Sequence, residues 1–285
     1  MPVRPSRRKR VARIPHLRSE AGAMDARPGR VSNPPAPASR PRRSLRAAIR
    51  RTSMKTFVLV HGAWHGGWCW RRVSDLLVEQ GHRVFAPTLT GLGERSHLLG
   101  PAVGLDTHVA DVVNVIKWER LEDVILVGHS YAGFILTGVA EQVADRIGAL
   151  VFLDAFMPEN GSAMIDGTSQ GVRDAIAAAP QTGEIALKPY PAAALGVAEP
   201  DRPWVDGLCT PHPMKTYTDR MVLTGARDRI AKKVFIRAKG FPNAAFDAVT
   251  AKLAADPSWR MEALACGHDA MVADPQGVAR ILLAV

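Results

Sequence analysis

The sequence predicts an α/β fold, a mostly parallel, doubly wound sheet of about six strands with helices on both faces. Short apolar, β-branched segments alternate along the chain with segments whose apolar residues recur three and four positions apart. The first pattern is typical of strands buried on both faces, and the second of one face of a helix. Strands joined by helical crossovers run parallel, so the alternation predicts the parallel sheet.

The elements follow one another in an order that fits this fold. The first strand is the run TFVLVH, ended by Gly62, and the third, VILV, runs into a tight turn centred on Ser130. The predicted strands are residues 56–61, 83–86, 124–127, 149–153, 234–237 and the more polar 259–264. The predicted helices, each with an apolar face at helical spacing, are residues 70–79, 107–118, 134–144, 245–254 and 275–283.

One interval breaks the alternation between the fourth and fifth strands. Residues 155–220 are rich in Pro, Ala and Gly and contain no strand-like run. Long inserted segments of this kind often lie over the site that they shape. We therefore expect a cap inserted between the fourth and fifth strands.

Charge divides the chain into a basic tail and a mildly acidic remainder. The 285 residues carry a net charge of +10, yet residues 1–53 hold 15 of the 37 basic and only 2 of the 27 acidic residues. The tail thus carries +13 and the predicted domain, residues 54–285, carries −3. The tail is rich in Pro and Arg, and we expect it to be disordered. It is either an arm that binds polyanions or directs targeting, or a dispensable extension before Met54. Nucleic-acid binding is not expected of the domain.

Membrane insertion and export are not expected. The sequence contains no run of 18 apolar residues and no secretory signal pattern at its N-terminus. Cys69, Cys209 and Cys266 have neither metal-ligand nor redox-pair spacing, which fits reduced thiols in the cytoplasm. The oligomeric state stays open, with a homodimer possible.

The strongest chemical signal follows the third predicted strand. The sequence GHSYAG, residues 128–133, places Ser130 in a tight turn between that strand and an apolar helix. Such a strained turn needs small residues two positions before and after the serine, and Gly128 and Ala132 meet that need. Ala132 stands where glycine is commoner. The context predicts that Ser130 is a nucleophile rather than a helix cap.

A serine nucleophile needs a base within hydrogen-bonding distance. Of the nine histidines, His268 is the best placed, because it lies in a loop between the sixth strand and the last helix. The carboxyl ends of parallel strands meet at one edge of a sheet, and an imidazole titrates near neutral pH. We predict that His268 is the general base and that the neighbouring His129 serves packing.

Several motifs together resemble a known family. They are residues 57–70 (FVLVHGAWHGGWCW), 128–133, 152–158 (FLDAFMP) and 267–271 (GHDAM). They look like the plant methylesterase and hydroxynitrile lyase branch of the α/β-hydrolases, and residues 90–95 (TGLGER) look like bacterial relatives of that branch. The resemblance implies the α/β-hydrolase fold and esterase activity on small, often aromatic or hydrophobic esters. It implies no metal and no organic cofactor.

The loop after the first strand is expected to complete an oxyanion hole. By position, the backbone amides of Ala63 and Tyr131 are the two donors. In the lyases of this branch a threonine stands at the position of Gly62 and a lysine at that of Asp269. Neither lyase residue is present here, which favours an esterase over cyanohydrin cleavage.

The third member of the catalytic triad departs from the family pattern. Relatives usually place an aspartate in the turn after the fifth strand, but residues 238–243 (AKGFPN) contain no acid. Asp154 ends the fourth strand and keeps the chain order Ser, Asp, His, so we assign it as the acid. Asp247 and Asp269 stay open as rivals, and Asp154 would otherwise cap the start of the inserted segment.

The substrate pocket is expected to be apolar. The candidate substrate-binding residues are Trp64, His65, Phe156, Trp204 and Met214. Besides an esterase and a lyase, a non-catalytic small-molecule receptor on the same fold remains an alternative. Dehalogenases and epoxide hydrolases are excluded, since their nucleophile is an aspartate and position 130 is a serine.

Overall fold

The computed structural model describes residues 53–285, and apart from Ser53 the predicted tail lies outside them. Six strands form its main sheet: β1 (Thr56–Val60), β2 (Arg83–Phe85), β3 (Val124–His129), β4 (Ile147–Leu153), β7 (Lys232–Ala238) and β8 (Trp259–Leu264). All are parallel, in the order β2-β1-β3-β4-β7-β8, which confirms the predicted fold class.

Both faces of the sheet are buried, as the apolar strand sequences require. Along β1, Phe57 and Leu59 belong to one hydrophobic cluster, and Val58 and Val60 belong to the other. Successive side chains of a strand point to opposite faces, so an unbroken apolar run supplies two cores at once. The parallel sheet is therefore stabilised by helices on each side.

The helices are divided between these two faces. Side chains of α1 and α10 pack into the cluster that contains Phe57, whereas α2, α3 and α8 pack into the cluster that contains Val58. The helices are α1 (Arg71–Glu79), α2 (Leu105–Trp118), α3 (Ala132–Val143), α4 (Gln170–Thr182), α5 (Arg202–Leu208), α6 (Lys215–Thr218), α7 (Ala226–Arg229), α8 (Ala244–Ala254), α9 (Ala270–Ala273) and α10 (Pro275–Leu283). None of the described helices is long and apolar enough to cross a membrane.

The interval predicted as a cap contains α4, α5, α6 and a small antiparallel sheet. That sheet pairs β5 (Ala186–Leu187) with β6 (His212–Pro213). The expectation that this interval lacks strands was wrong, because strands of two residues are too short to produce an alternating pattern. The helix α4 was also missed. Ser169 caps its start, Gly183 ends it in a left-handed conformation, and Pro180 lies inside it.

Candidate active site

Four neighbouring strands direct their carboxyl ends to one edge of the sheet. Ser130 follows β3, Asp154 follows β4, Arg237 is the penultimate residue of β7, and His268 lies in the loop after β8. These strands are adjacent in the order β3-β4-β7-β8. The topology thus brings together groups that are up to 138 positions apart along the chain.

The turn at Ser130 has the strained geometry that its sequence predicts. Ser130 has a φ of 54°, in the left-handed region that side chains with a Cβ rarely adopt. Its carbonyl oxygen accepts hydrogen bonds from the amides of Gly133 and Phe156, both at 3.1 Å. A Cβ added at Gly133 would overlap the Phe156 carbonyl, and one added at Gly128 would overlap Leu136. The small residues around the serine therefore allow close approach of the neighbouring chain.

The side chains of Ser130, His268 and Asp154 form a continuous hydrogen-bonded chain. His268 Nδ1 lies 2.7 Å from Asp154 Oδ2, and His268 Nε2 lies 2.9 Å from Ser130 Oγ. A carboxylate only accepts, so Nδ1 carries the proton and Nε2 is free to accept from the serine hydroxyl. Asp154 is fully buried and Ser130 and His268 are nearly so. Like Ser130, Asp154 has a positive φ, at 43°.

Arg237 fixes the orientation of the Asp154 carboxylate. The second oxygen, Oδ1, accepts hydrogen bonds from Arg237 Nη1 at 2.7 Å and from the Ala238 amide at 3.1 Å. Arg237 is itself buried and also donates to the carbonyl of Phe241 and to Asp247 Oδ1. Asp154 thus has a buried positive counter-charge, and its other oxygen faces His268.

The two rival acids have other partners. Asp247, whose side chain is mostly exposed, binds Arg237, with Nε to Oδ1 at 2.9 Å. Asp269 follows His268 directly, but its Oδ2 lies 3.1 Å from His65 Nε2. Of the three candidates, the structure brings only Asp154 within hydrogen-bonding distance of the His268 ring in the described part of the chain.

Two phenylalanines stack against the His268 ring. Phe241 stacks on it with 4.7 Å between ring centroids, and Phe246 stacks at 5.5 Å. Phe241 lies in the turn after β7, where relatives usually carry the acid, and Phe246 lies on α8. These contacts restrict rotation of the imidazole, so that its two nitrogens stay aligned with their partners.

Ala63 and Tyr131, whose amides are the predicted oxyanion donors, both belong to the surroundings of Ser130. Ala63 lines the same cavity as Ser130 and His268, and Tyr131 is the residue directly after the serine. Trp64, the next residue of the loop, has a φ of 66°, so three of the five non-glycine residues with positive φ in residues 53–285 belong to this site. Backbone strain of this kind concentrates at functional sites.

A cavity of about 250 Å³ opens beside Ser130. Its walls are mainly apolar and aromatic, and no Lys, Arg, Asp or Glu is found among the described residues that line it. The lining residues are Ala63, Trp64, Ser130, Phe156, Met164, Thr168, Val172, Tyr190, Ala194, Leu195, Tyr217, Phe241, Asn243, Phe246 and His268. Such a cavity suits a small uncharged ligand.

The predicted substrate-binding residues lie in different surroundings. Trp64 and Phe156 line the cavity. Met214 lines an adjoining cavity of about 310 Å³, which shares Trp64 with the first one. The structure puts His65 behind the loop, against Asp269, and puts Trp204 against Trp68 and Arg72, so neither lines the cavity.

Buried histidines shape the loop that carries Ala63. His61 Nδ1 donates to the Gly62 carbonyl at 2.8 Å, and its Nε2 accepts from the Leu89 amide at 3.0 Å. Burial lowers the pKa of His61 to about 3, so the ring is neutral at pH 7, as this bonding pattern requires. His212 is neutral for the same reason, since burial lowers its pKa well below the usual value. Its Nδ1 accepts from the Trp64 amide at 3.3 Å.

The inserted segment is attached to the loop that carries His268. The His268 amide donates to the Leu195 carbonyl at 2.9 Å. Gly196 has a φ of 74°, and a Cβ added at Gly267 would overlap the backbone of Gly196. Two glycines therefore let the two segments touch backbone to backbone.

Comparison with known proteins agrees with this architecture. The model of the alpha/beta hydrolase family matches residues 57–281, most of the chain. The chain belongs to the alpha/beta hydrolase family. A carbendazim hydrolyzing esterase from Nocardioides sp. (strain SG-4G) is 40% identical over 241 residues, which are 81% of this chain and all of that protein. The resemblance drawn from the motifs is thus confirmed for the family.

Two solved structures have the same fold at low sequence identity. One is an extracellular α/β-hydrolase from a Paenibacillus species, described as sharing structural and functional homology with tobacco salicylic acid binding protein 2. It has a TM-score of 0.71 at 22% identity and covers 81% of this chain and 98% of its own. The other is a methylesterase from Arabidopsis, with a TM-score of 0.64 at 23% identity over 81% of this chain and 98% of its own.

Sequence analysis missed Arg237, Phe241 and Phe246. One signal was present for Arg237, since it is a charged residue in an otherwise apolar strand segment, VFIRA. A charge there requires a buried partner of opposite sign. The contact of the two phenylalanines with His268 has no comparable sequence signal, because it depends on how the turn after β7 and α8 fold back over the site.

Proposed function

We propose that this protein is a serine esterase that hydrolyses small, uncharged carboxylic esters through an acyl-enzyme intermediate. The observation that carries the proposal is the hydrogen-bonded chain from Ser130 through His268 to Asp154 at the wall of an apolar cavity. The esterase names of the 40% identical relative and of the Arabidopsis methylesterase support the same reaction class.

Acylation begins when Ser130 Oγ attacks the ester carbonyl carbon. His268 Nε2 takes the hydroxyl proton as the new C–O bond forms, and the Asp154 carboxylate stabilises the resulting imidazolium. The carbonyl oxygen becomes an oxyanion, which the amides of Ala63 and Tyr131 hold. Each such donor contributes roughly 3 to 4 kcal/mol to transition-state stabilisation. His268 then protonates the departing alcohol oxygen, and the bond between the carbonyl carbon and that oxygen breaks.

Deacylation repeats these steps with water. His268 takes a proton from a water molecule, whose oxygen attacks the acyl carbon. The tetrahedral intermediate collapses, the proton returns to Ser130 Oγ, and the carboxylic acid leaves. The protein supplies every group for both steps, so the proposed reaction uses no metal or organic cofactor.

Cavity size and lining support the substrate class. Ligand cavities commonly measure about 300 to 1,000 Å³, and at about 250 Å³ this one suits a compact ester. Since no Lys, Arg, Asp or Glu lines the cavity among the described residues, a charged acyl group would lose its hydration without compensation. Neutral, apolar or aromatic esters are therefore the proposed substrates.

Lyase chemistry on a cyanohydrin fits this site less well. The lyases of the branch carry threonine at the position of Gly62. Here a Cβ at that position would lie 2.9 Å from His129 Nδ1 and 3.0 Å from Ser130 Cβ, both too close for ordinary contact. The crowding at this position accounts for the glycine there and supports ester hydrolysis over cyanohydrin cleavage.

The test is an ester panel with the purified chain. It contains p-nitrophenyl and methyl esters of increasing acyl length, with carbendazim added because of the relative that is named for it. We expect kcat/KM to fall as the acyl chain lengthens. A fluorophosphonate probe should label Ser130, and the Ser130→Ala variant should lose labelling and turnover. A Ser162→Ala variant, changed at a half-buried serine of the insertion that does not line the cavity, should keep both.

Two results would reject the proposal. Cyanide release from cyanohydrins without ester hydrolysis would favour the lyase. Tight ligand binding with neither turnover nor labelling of Ser130 would favour a receptor.

A further inference from the structure

A buried ion pair lies directly behind the loop that carries Ala63. His65 Nε2 is 3.1 Å from Asp269 Oδ2, and each residue is only 1% exposed. Neither residue lines the cavity. The pair joins the loop after β1 to the residue that follows the catalytic base, so it connects the two sides of the site.

The hydrogen bonds of His65 require a protonated ring. Its Nδ1 lies 2.7 Å from the Ala63 carbonyl oxygen, and its Nε2 faces the Asp269 carboxylate. Both partners only accept, so both ring nitrogens must donate. Burial alone would lower the pKa of His65, but the charge and hydrogen bond of Asp269 outweigh it and raise the pKa above its usual value. Burial alone would raise the pKa of Asp269, but the charge and hydrogen bond of His65 outweigh it and lower that pKa to about 2.

The ion pair is not explained by packing. Burying two charges costs several kcal/mol of desolvation, and apolar residues of similar size often stabilise a fold equally well. The bonding of Asp269 is also incomplete, since its Oδ1 has no hydrogen-bond partner among the described residues and lies 3.9 Å from His129 Nε2. A costly and only partly satisfied pair beside the reaction centre indicates a role in the site.

His65 holds one end of a single peptide bond, and His212 holds the other. His65 donates to the carbonyl oxygen of Ala63, while His212 accepts from the amide of Trp64. These two groups belong to the peptide that joins residues 63 and 64. Trp64 has a strained φ of 66°, which persists only where the surroundings enforce it. The two histidines supply that constraint directly after the amide proposed to bind the oxyanion.

We propose that the His65–Asp269 ion pair positions the oxyanion loop, holding the Ala63 carbonyl so that the Ala63 amide stays directed at the oxyanion. This inference rests on the proposed esterase function. His65 is a positioning residue, because it acts on the reaction through Ala63 and does not touch the cavity. Asp269 keeps His65 protonated, and thereby keeps its Nδ1 a donor.

The test compares Asp269→Asn and His65→Gln with the unchanged chain on p-nitrophenyl acetate. Loss of an oxyanion donor lowers kcat by roughly 100- to 1,000-fold. A donor that is present but misdirected should lower it less, by roughly 10- to 100-fold, with KM within about threefold. Affinity for an alkyl boronic acid, which forms a tetrahedral adduct with the serine, should fall in parallel with kcat. The double variant should resemble the worse single variant, since both changes remove one interaction.

A matched control is His82→Gln. His82 is also buried and accepts a backbone hydrogen bond, from the Lys55 amide at 3.2 Å, but it lies at the other end of the sheet. The loss of stability in this variant should be comparable to that in His65→Gln, and its kcat should equal that of the wild type. A second measurement does not depend on the activity of any variant. A pH titration of the ¹⁵N spectrum of the histidine-labelled wild-type chain, assigned with His65→Gln, should show His65 keeping two protonated nitrogens to a higher pH than free histidine does.

Each possible result either supports the inference or overturns it. If both variants keep kcat and boronate affinity within threefold, or if His65 loses its second proton at or below the pH at which free histidine does, the inference is overturned. A rise in KM with unchanged kcat would make His65 part of the binding wall and would also overturn it. If the wild-type chain neither hydrolyses esters nor reacts with the fluorophosphonate probe, the proposed function fails first and this inference falls with it.

Discussion

Replacing Asp154 with asparagine removes one negative charge and hardly changes the shape of the side chain. The surroundings dictate how the new amide lies. Arg237 Nη1 and the Ala238 amide are both donors, at 2.7 and 3.1 Å, so the amide oxygen must face them. The NH₂ group then faces His268 Nδ1, which must become an acceptor and move its proton to Nε2. A protonated Nε2 cannot take the proton of Ser130.

The expected loss follows from this change of tautomer. In serine proteases the equivalent replacement lowers kcat by ~10⁴-fold with the geometry intact. That factor corresponds to about 5 kcal/mol of activation free energy. Because Arg237 and Ala238 enforce the same wrong tautomer here, we expect Asp154→Asn to lower kcat by a comparable factor and to change KM little.

The assay is steady-state hydrolysis of p-nitrophenyl acetate, with thermal unfolding measured in parallel. The matched control is Asp247→Asn, which removes a carboxylate that binds the same arginine from its exposed side without touching His268. This control should stay within a few-fold of wild type. An Asp154→Asn variant that folds normally and keeps kcat within tenfold of wild type would refute the reasoning.

Three further predictions follow from the structure. Gly62→Thr should destabilise the fold by about 1 to 3 kcal/mol, because the new side chain crowds His129 and Ser130, and it should also lower kcat. A denaturant titration measures the loss of stability. The control is Gly171→Thr, where the added Cβ meets open space. Tyr190→Ala should join the two cavities that Trp64 and Tyr190 both line. The kcat/KM for p-nitrophenyl octanoate should therefore rise relative to that for p-nitrophenyl acetate. The control Trp118→Ala, which removes an exposed aromatic ring on α2, should leave this ratio unchanged. The pKa of Asp269 in the folded state, about 2, lies below its ordinary 3.8, so the stability from the ionised carboxylate is present above about pH 4 and lost as pH falls toward 2. Unfolding of Asp269→Asn and wild type between pH 6 and 2 should therefore show a stability difference that shrinks with acid, and a constant difference would contradict the assignment.

Sequence patterns were sufficient to predict the parallel sheet and the proximity of Ser130 to His268. The strands are continuous apolar runs that supply both cores, which makes them easy to recognise. Since parallel strands end at one edge, the residue after β3 and the loop after β8 had to approach each other. Asp154 followed from the same rule, together with the lack of an acid in residues 238–243.

Other features depend on contacts that no local pattern encodes. His65 was expected in the pocket, but its partner Asp269 is 204 positions away and draws it behind the loop. The helix α4 has only one buried residue, Val172, so its apolar periodicity is weak, and Pro180 interrupts it. The contact of Arg237 with Asp154 could be predicted only by knowing that β4 and β7 are neighbours in the sheet.

The backbone contact between Gly196 and Gly267 limits how this enzyme can admit its substrate. A free lid swings on hinges while the catalytic groups stay still, but here the covering segment is joined to the base through the Leu195 carbonyl and the His268 amide. Any large swing of that segment would pull the imidazole out of line with the serine. We therefore expect substrate to enter through small rearrangements of side chains at the rim, with turnover insensitive to the slow domain motions that gate many lidded enzymes.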